Sequence, residues 1–178
     1  MIRVLIPRSF KKEREYITNL LLIEFLGIEE VEIDTHDKPD YIIRLDNGNM
    51  LVIRDGFFSK IPGDNYLSKQ YLPKNIKIIK NPFIVEKNIF VLYGTDEFFQ
   101  SDSKIICGID IFASAFFMIV RWEEYVNKTR DKHDRFPAIA SIAYKNNFFD
   151  RPIVNEYLEM LWNMFKYVGL QSPSKKRE

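Results

Sequence analysis

YIIRLDNGNMLVIR, residues 41–54, reads as two short apolar strands folded back on each other. YIIRL and MLVIR flank DNGN, and Asn47-Gly48 readily adopts the left-handed backbone that a two-residue hairpin turn requires. Upstream, Arg3 to Pro7 reads as a buried strand. Ser9 then offers a helix N-cap, with Glu13 and Glu15 suited to the positive end of the helix. Ile17, Leu20, Leu21 and Phe25 follow helical spacing, and Gly27 can end the helix. VEID, 31–34, alternates as a strand does. The first 55 residues therefore read strand, helix, strand, hairpin.

Downstream of the hairpin the pattern weakens. Pro62, Pro73 and Pro82 punctuate residues 56–88, and Gly63-Asp64-Asn65 looks like a turn. The segment reads as loops packed by Phe57, Phe58, Tyr66, Tyr71 and Phe83. IKIIK is a short candidate strand, and NIFVLYG, 88–94, a better one. After Gly108 the character becomes helical. Asp110 suits an N-cap or first turn, and IFASAFFMIV is apolar on nearly every face, as a helix buried on several sides must be. A further helix starts at Pro152. Val154, Tyr157, Leu158, Leu161, Met164, Phe165 and Val168 mark its apolar face, and Gly169 ends it. The fold class is α/β: a small mixed sheet from the first ~95 residues, flanked by helices, with a helical C-terminal third. Residues 1–170 form one domain, and 171–178 a polar tail.

The 178 residues carry 26 basic and 25 acidic side chains, a net charge of +1, so nothing global attracts phosphate backbones and no nucleic-acid partner is expected. Hydrophobic residues make up 46% of the chain, ample for a core. The single cysteine, Cys107, excludes an internal disulfide framework and fits a reducing compartment. No signal-peptide core is seen in MIRVLIPRSF. Ile109 to Val120 is too short for a bilayer, which needs about 20 residues. The expectation is a cytoplasmic chain with no membrane partner.

Three places invite chemistry. Thr35-His36-Asp37 pairs a histidine with an acid, but metal sites need more ligands, and the only other histidine, His133, is far along the chain. A solvated turn before Pro39 is the simpler reading. Cys107 lies before a helix, yet lacks a base other than distant His133, and reads as a small buried residue. The third place is RWEEYVNKTRDKHDRFPAIASIAYKNNFFDRP, residues 121–152. Glu123 and Glu124 fall near the C-terminal end of a buried helix, where negative charge is unfavourable unless cations answer it. Arg121, Arg130, Arg135 and Arg151 are available for bidentate pairing. Asp131 and Asp134 can cap the turn, and His133 can bridge charged groups. The expectation is an ion-pair corner or docking surface made of Arg121, Trp122, Glu123, Glu124, Tyr125, Asp131, His133, Arg135 and Arg151, with Glu123 or Glu124 paired to Arg135. Two alternatives stay open. Trp122, Tyr125, Phe136 and Tyr144 lie close together and could stack on a glycan, or carboxylates near His133 could serve a hydrolase.

DIFASAFFMIVRWEEY, DKHDRFPA and SIAYKNNFFDRPIVNEYLEML together resemble the N-terminal domain of Bacteroidetes-type polysaccharide deacetylase family proteins. Asp110 to Ser114, Arg121 to Tyr125, Asp131 to Ala138, Ala143 to Lys145 and Arg151 to Val154 carry the resemblance, which covers roughly residues 108–162. Asp134 departs from it, since glycine is more usual there, and Ile142 stands where leucine is usual. The resemblance implies a non-catalytic accessory domain. Its partner would be a downstream catalytic deacetylase domain, a distorted (β/α) barrel with an Asp-His-His metal site, in the same polypeptide. None of those metal motifs occurs in this chain, so no catalytic residue, metal or cofactor is assigned. A glycan is the other partner to consider.

Overall fold

The structure is a computed structural model, and residues 1–171 are described. The hairpin forms as its sequence dictates: β3 (Tyr41–Leu45) pairs antiparallel with β4 (Met50–Ile53), Tyr41 opposite Ile53. β1 (Ile2–Pro7) lies beside β3 and runs antiparallel to it. β2 (Val31–His36) is parallel to β1 on its other side. The sheet then extends beyond the N-terminal part. β8 (Lys104–Ile109) runs parallel to β4, and β7 (Gly94–Ser101) closes the edge antiparallel to β8. The order is β2-β1-β3-β4-β8-β7. A separate hairpin pairs β5 (Lys77–Asn81) with β6 (Ile84–Val91).

The sheet is therefore mixed, as the sequence implies, but it is not confined to the first 95 residues. β7 and β8 have to be added, because the outer edge of β4 would otherwise leave its N–H and C=O groups unpaired. Residues 56–88 are also less loop-like than their prolines suggest. They hold two single 3₁₀ turns, Phe58–Lys60 and Lys69–Tyr71, and most of the second hairpin.

Ser9 does not cap α1 (Lys11–Asn19). The residue before the helix is Phe10, held in the left-handed region at φ 50°. Ser9 instead offers its carbonyl and hydroxyl oxygens to the guanidinium of Arg14, at 2.6 and 3.2 Å. Beyond Asn19 the helix widens into a π turn over Leu20–Phe25, and Gly27 ends it at φ 68°. α2 (Ile111–Val120) packs between α1 and α5 (Ile153–Tyr167), and two single turns, α3 (Glu123–Val126) and α4 (Ile142–Lys145), connect them. The alternate strand residues Ile2, Val4, Ile6, Tyr41, Ile43, Ile105, Cys107 and Ile109 are buried, while Arg3 and Arg44 between them are exposed. Tyr41 meets Phe112 of α2 with ring centroids 4.4 Å apart, which places the helices on the buried face. Asn47 donates to the carbonyl of Val168 at 2.9 Å, so the hairpin turn holds the end of α5. Of the polar tail expected at 171–178, residues 172–178 lie outside the described part.

β1, β2, β4 and β8 all run the same way, so their carboxyl ends share one edge. There the chain buries charge. The Arg14 and Asp55 side chains are fully buried and meet at 2.5 Å. Arg14 also donates to the hydroxyl of Tyr41 at 2.8 Å and to that of Ser59 at 3.2 Å. Asp55 accepts from the backbone N–H of Phe57 (2.8 Å), and from Ser59 through its N–H (3.1 Å) and its hydroxyl (2.6 Å). Asp110, equally buried, caps α2 by accepting from Ala113 N–H at 2.9 Å and ties it to the loop after β4 by accepting from Gly56 N–H at 2.7 Å. A methyl group on Gly56 would overlap the Gly94 backbone, so the two crossovers at this edge touch through bare backbone.

Two outcomes follow from this edge. Arg14→Met leaves Asp55 buried without its cation and is expected to cost about 3–5 kcal/mol in urea unfolding. A loss below about 1 kcal/mol would show that the pair is replaceable. Burial and the nearby Asp55 push the Asp110 carboxyl from 3.8 up to about 8, against the two backbone N–H donors and Arg14. The folded state thus holds this proton more tightly than the unfolded chain does, and stability falls as pH rises through that interval. The melting temperature should decline between about pH 5 and pH 8, and Asp110→Asn should flatten the decline. An equal slope in the variant would assign the effect to other groups.

Candidate functional site

The charged corner forms because α2 is stopped abruptly. Arg121 takes the left-handed conformation at φ 56°, and its N–H bonds to the carbonyl of Phe117 at 3.2 Å. That reversal sends Trp122 back into the core. It is 2% exposed, stacked 6.0 Å from Phe57 and edge-on to Phe117 at 5.4 Å. Trp122 is therefore not free to stack on a glycan. Its indole N–H is buried without a hydrogen-bond partner among the described residues.

The expected pairing of Glu123 or Glu124 with Arg135 does not form. Glu124 is taken by Arg121, three residues before it. Glu123 is 8% exposed, and its Oε1 accepts from the backbone N–H of Ile142 at 2.7 Å, across the turn to α4. Burial pushes its carboxyl above the usual carboxylate range, opposed by that N–H and by the charge of Lys145. Arg135 is spent four residues back. It reaches Asp131 at 3.2 Å, while Asp131 accepts from the N–H groups of His133 (2.8 Å) and Arg135 (3.0 Å). Sequence separation decides between these partners: a neighbour three or four residues away costs far less ordering entropy than a distant one.

This 131–135 turn is self-contained. The N–H groups hold the Asp131 carboxyl below its usual range. Asp134, where the resemblance favours glycine, has φ 58°, the conformation glycine adopts without strain. His133 is exposed. Arg130 donates to the carbonyl oxygens of Glu124, Asn127 and Thr129 at 3.1, 3.0 and 2.7 Å. Arg151 serves α5 instead, as a two-pronged clamp on Glu156 at 2.7 and 2.8 Å and a donor to Asn88 of β6 at 2.9 Å. Tyr125 is 62% exposed, with the Lys128 ammonium 4.5 Å from its ring centre.

The corner encloses a cleft of about 310 Å³. Phe117, Phe136 and Phe149 line it together with Arg121, Glu123 and Glu124. Of the expected site residues, then, Arg121, Glu123 and Glu124 converge, and Asp131, His133, Arg135 and Arg151 point to other tasks. Phe136, one of the rings expected near the corner, lines the cleft, and Phe149 was missed. Phe149 is 59% exposed and lies edge-on to Tyr144 at 6.3 Å. The only signal for this in the sequence is the aromatic doublet Phe148-Phe149, one member of which is fully buried.

The other chemical candidates resolve simply. Thr35 and His36 belong to β2 rather than to a solvated turn, and the His36 ring meets the Asp40 carbonyl at 2.7 Å. Asp37 pairs with Arg8 at 2.7 Å. Cys107 is buried, and desolvation pushes its thiol up to about 12, far from a reactive thiolate. Among the described residues no three His, Cys, Asp or Glu side chains gather as metal ligands, and no helix is long and apolar enough to cross a membrane.

The architecture, a mixed sheet with a helical layer and a cleft at one helix end, is that of an α/β domain. The chain belongs to a family of unknown function (DUF7033), whose model matches residues 2–169. No curated protein and no solved structure matches it.

Because Arg135 and Asp131 form an exposed, local pair, Arg135→Met is expected to leave stability nearly unchanged. A larger loss in thermal or urea unfolding would mean that Arg135 holds more of the corner than its own turn.

Proposed function

We propose that this chain is a non-catalytic accessory domain of a polysaccharide deacetylase-like protein, and that it works by holding a partner at the corner rather than by breaking bonds. The observation that carries this reading is how the corner uses its groups. Glu123, Glu124 and Asp131 are occupied by backbone N–H groups and adjacent arginines, as structural acids are. A general acid–base pair would instead face a common substrate position. At the same time Val120, Tyr125, Ile139, Tyr144 and Phe149, all within residues 120–149, are left in solvent. Concentrated exposed apolar side chains with polar neighbours are what an interaction surface needs. The resemblance of residues 108–162 to the front domain of deacetylase family proteins supplies the identity of the partner, a downstream catalytic domain.

The test is direct. The purified chain should release no acetate from N-acetylated oligosaccharides, with or without added zinc, and the native reading frame should continue beyond Glu178 into a domain with an Asp and a paired His-x-x-x-His. Acetate release by the chain alone, or a stop codon after Glu178, would overturn the accessory reading.

A further inference from the structure

The sheet has a second face, turned away from the helices, and a row of apolar side chains crosses it. Leu5 lies opposite Ile42, Ile42 opposite Val52, Val52 opposite Ile106 and Ile106 opposite Phe99, so five neighbouring strands contribute one residue each. The alternate residues Val4, Ile43, Leu51, Ile105 and Cys107 point the other way, into the core. None of the five row residues belongs to that core cluster or packs against it. Phe99 is 50% exposed, Leu5, Ile42 and Ile106 are partly exposed, and Val52 sits between them in the middle of the row. The open face of a sheet is normally polar, and parallel pairs such as β1–β2 and β4–β8 are normally covered on both sides. Contiguous apolar surface rimmed by charge marks a place of interaction.

The charges beside the row select what fits it. On one side Arg44, Met50 and Lys104 lie abreast, and neither Arg44 nor Lys104 forms an ion pair among the described residues. Arg3, next to Arg44, is already answered by Asp34 and Glu32. On the other side Arg54 is held between Asp40 at 2.7 Å and Glu97 at 3.0 Å, which leaves one negative charge in excess. The apolar row thus separates a positive flank from a negative one. A partner of one sign would be opposed by one flank, whereas a second copy of the chain answers both. Turned over about a twofold axis lying along the row, it sets Arg44 against the partner's Asp40 and Lys104 against the partner's Glu97, with the apolar rows in contact. A twofold axis along the strands, centred on β4, would instead set Arg44 against the partner's Lys104. The charges therefore favour one orientation, and sheets stacked about 10 Å apart leave these side chains room to meet.

We infer that this face joins two copies of the chain, row on row, as a symmetric and reversible dimer. Six strands about 4.8 Å apart and about five residues long give a face of roughly 500 Å². Two such faces bury roughly 1,000 Å², the low end of specific interfaces, so the dimer forms in the micromolar range. The inference does not rest on the reading of the corner, which is built on the helical side of the sheet and stays open in such a pair.

Sedimentation velocity on the full chain, from low micromolar to millimolar concentration, tests it. The chain should pass from monomer to dimer across that range. Phe99→Asp, at an exposed position that does not threaten folding, should weaken association about tenfold or more. Lys104→Glu should weaken it too, by facing the partner's Glu97, and adding Glu97→Lys should restore it. Within one chain Glu97 and Lys104 stand at opposite ends of the β7–β8 ladder, so restoration can act only between copies. Melting curves of each variant check that the fold is kept. A chain that stays monomeric at millimolar concentration would overturn the dimer and leave the face to a different protein. A dimer unmoved by Phe99→Asp, or one that the charge exchange fails to restore, would equally overturn it. None of these outcomes touches the accessory reading, which fails on acetate release or a stop codon.

Discussion

The fold depends on one buried ion pair. Arg14 and Asp55 are removed from water completely, a placement whose desolvation cost only full hydrogen bonding offsets. The chain meets that demand from four directions: the Ser9 turn after β1, Tyr41 at the head of β3, the Asp55-Phe57-Ser59 loop after β4, and the helix that carries Arg14. Each donor and acceptor fits only if those segments meet in one arrangement. A network of this kind penalises alternatives more than it rewards the native state, because a half-satisfied version is worse than none. Asp110 extends the constraint by fastening the start of α2 to Gly56. Beyond β4 and β8 the carboxyl edge of the parallel strands, where α/β proteins often bind ligands, is filled by the protein's own polar groups.

With its start fixed there, α2 has to end where the corner begins. The left-handed Arg121 is the pivot, since it turns Trp122 inward beneath Phe57 and leaves Glu123 between core and solvent. The corner's charge is then divided into short local loops: Arg121 with Glu124, Arg135 with Asp131, Arg151 with Glu156. Of these only the Arg151–Glu156 pair has a buried acid, and it braces α5 against β6. The exposed pairs shape the surface without holding the fold, which is how a surface meant for a partner can vary at small cost in stability.

Much of this was legible in the sequence. The Asn47-Gly48 hairpin, the strand-helix-strand before it, the Asp110 cap and α5 between Pro152 and Gly169 all follow from local chemistry: turn residues, caps and apolar spacing. The all-round apolarity of IFASAFFMIV announced a buried helix, and every residue from Ile111 to Phe117 is buried. The cleft was half legible, because Glu123 and Glu124 stood out as acids at the wrong end of a helix and Phe136 as a ring beside them, while Phe149 was one among 15 phenylalanines.

What the sequence could not carry is choice between distant partners. Arg14 looks like an ordinary surface charge among Lys11, Lys12, Glu13 and Glu15, and only the packed sheet makes it the most buried arginine among the described residues. β7 alternates too weakly to announce itself, with Thr95, Asp96 and Glu97 exposed, and becomes a strand because β8 offers it an edge. Arg135 had several acids to choose from and took Asp131, four residues back in its own turn. The local patterns determined which elements form. The tertiary structure decided which charges are buried and which side chains share a cleft, because burial and long-range pairing are properties of the assembled whole and leave no period in the chain.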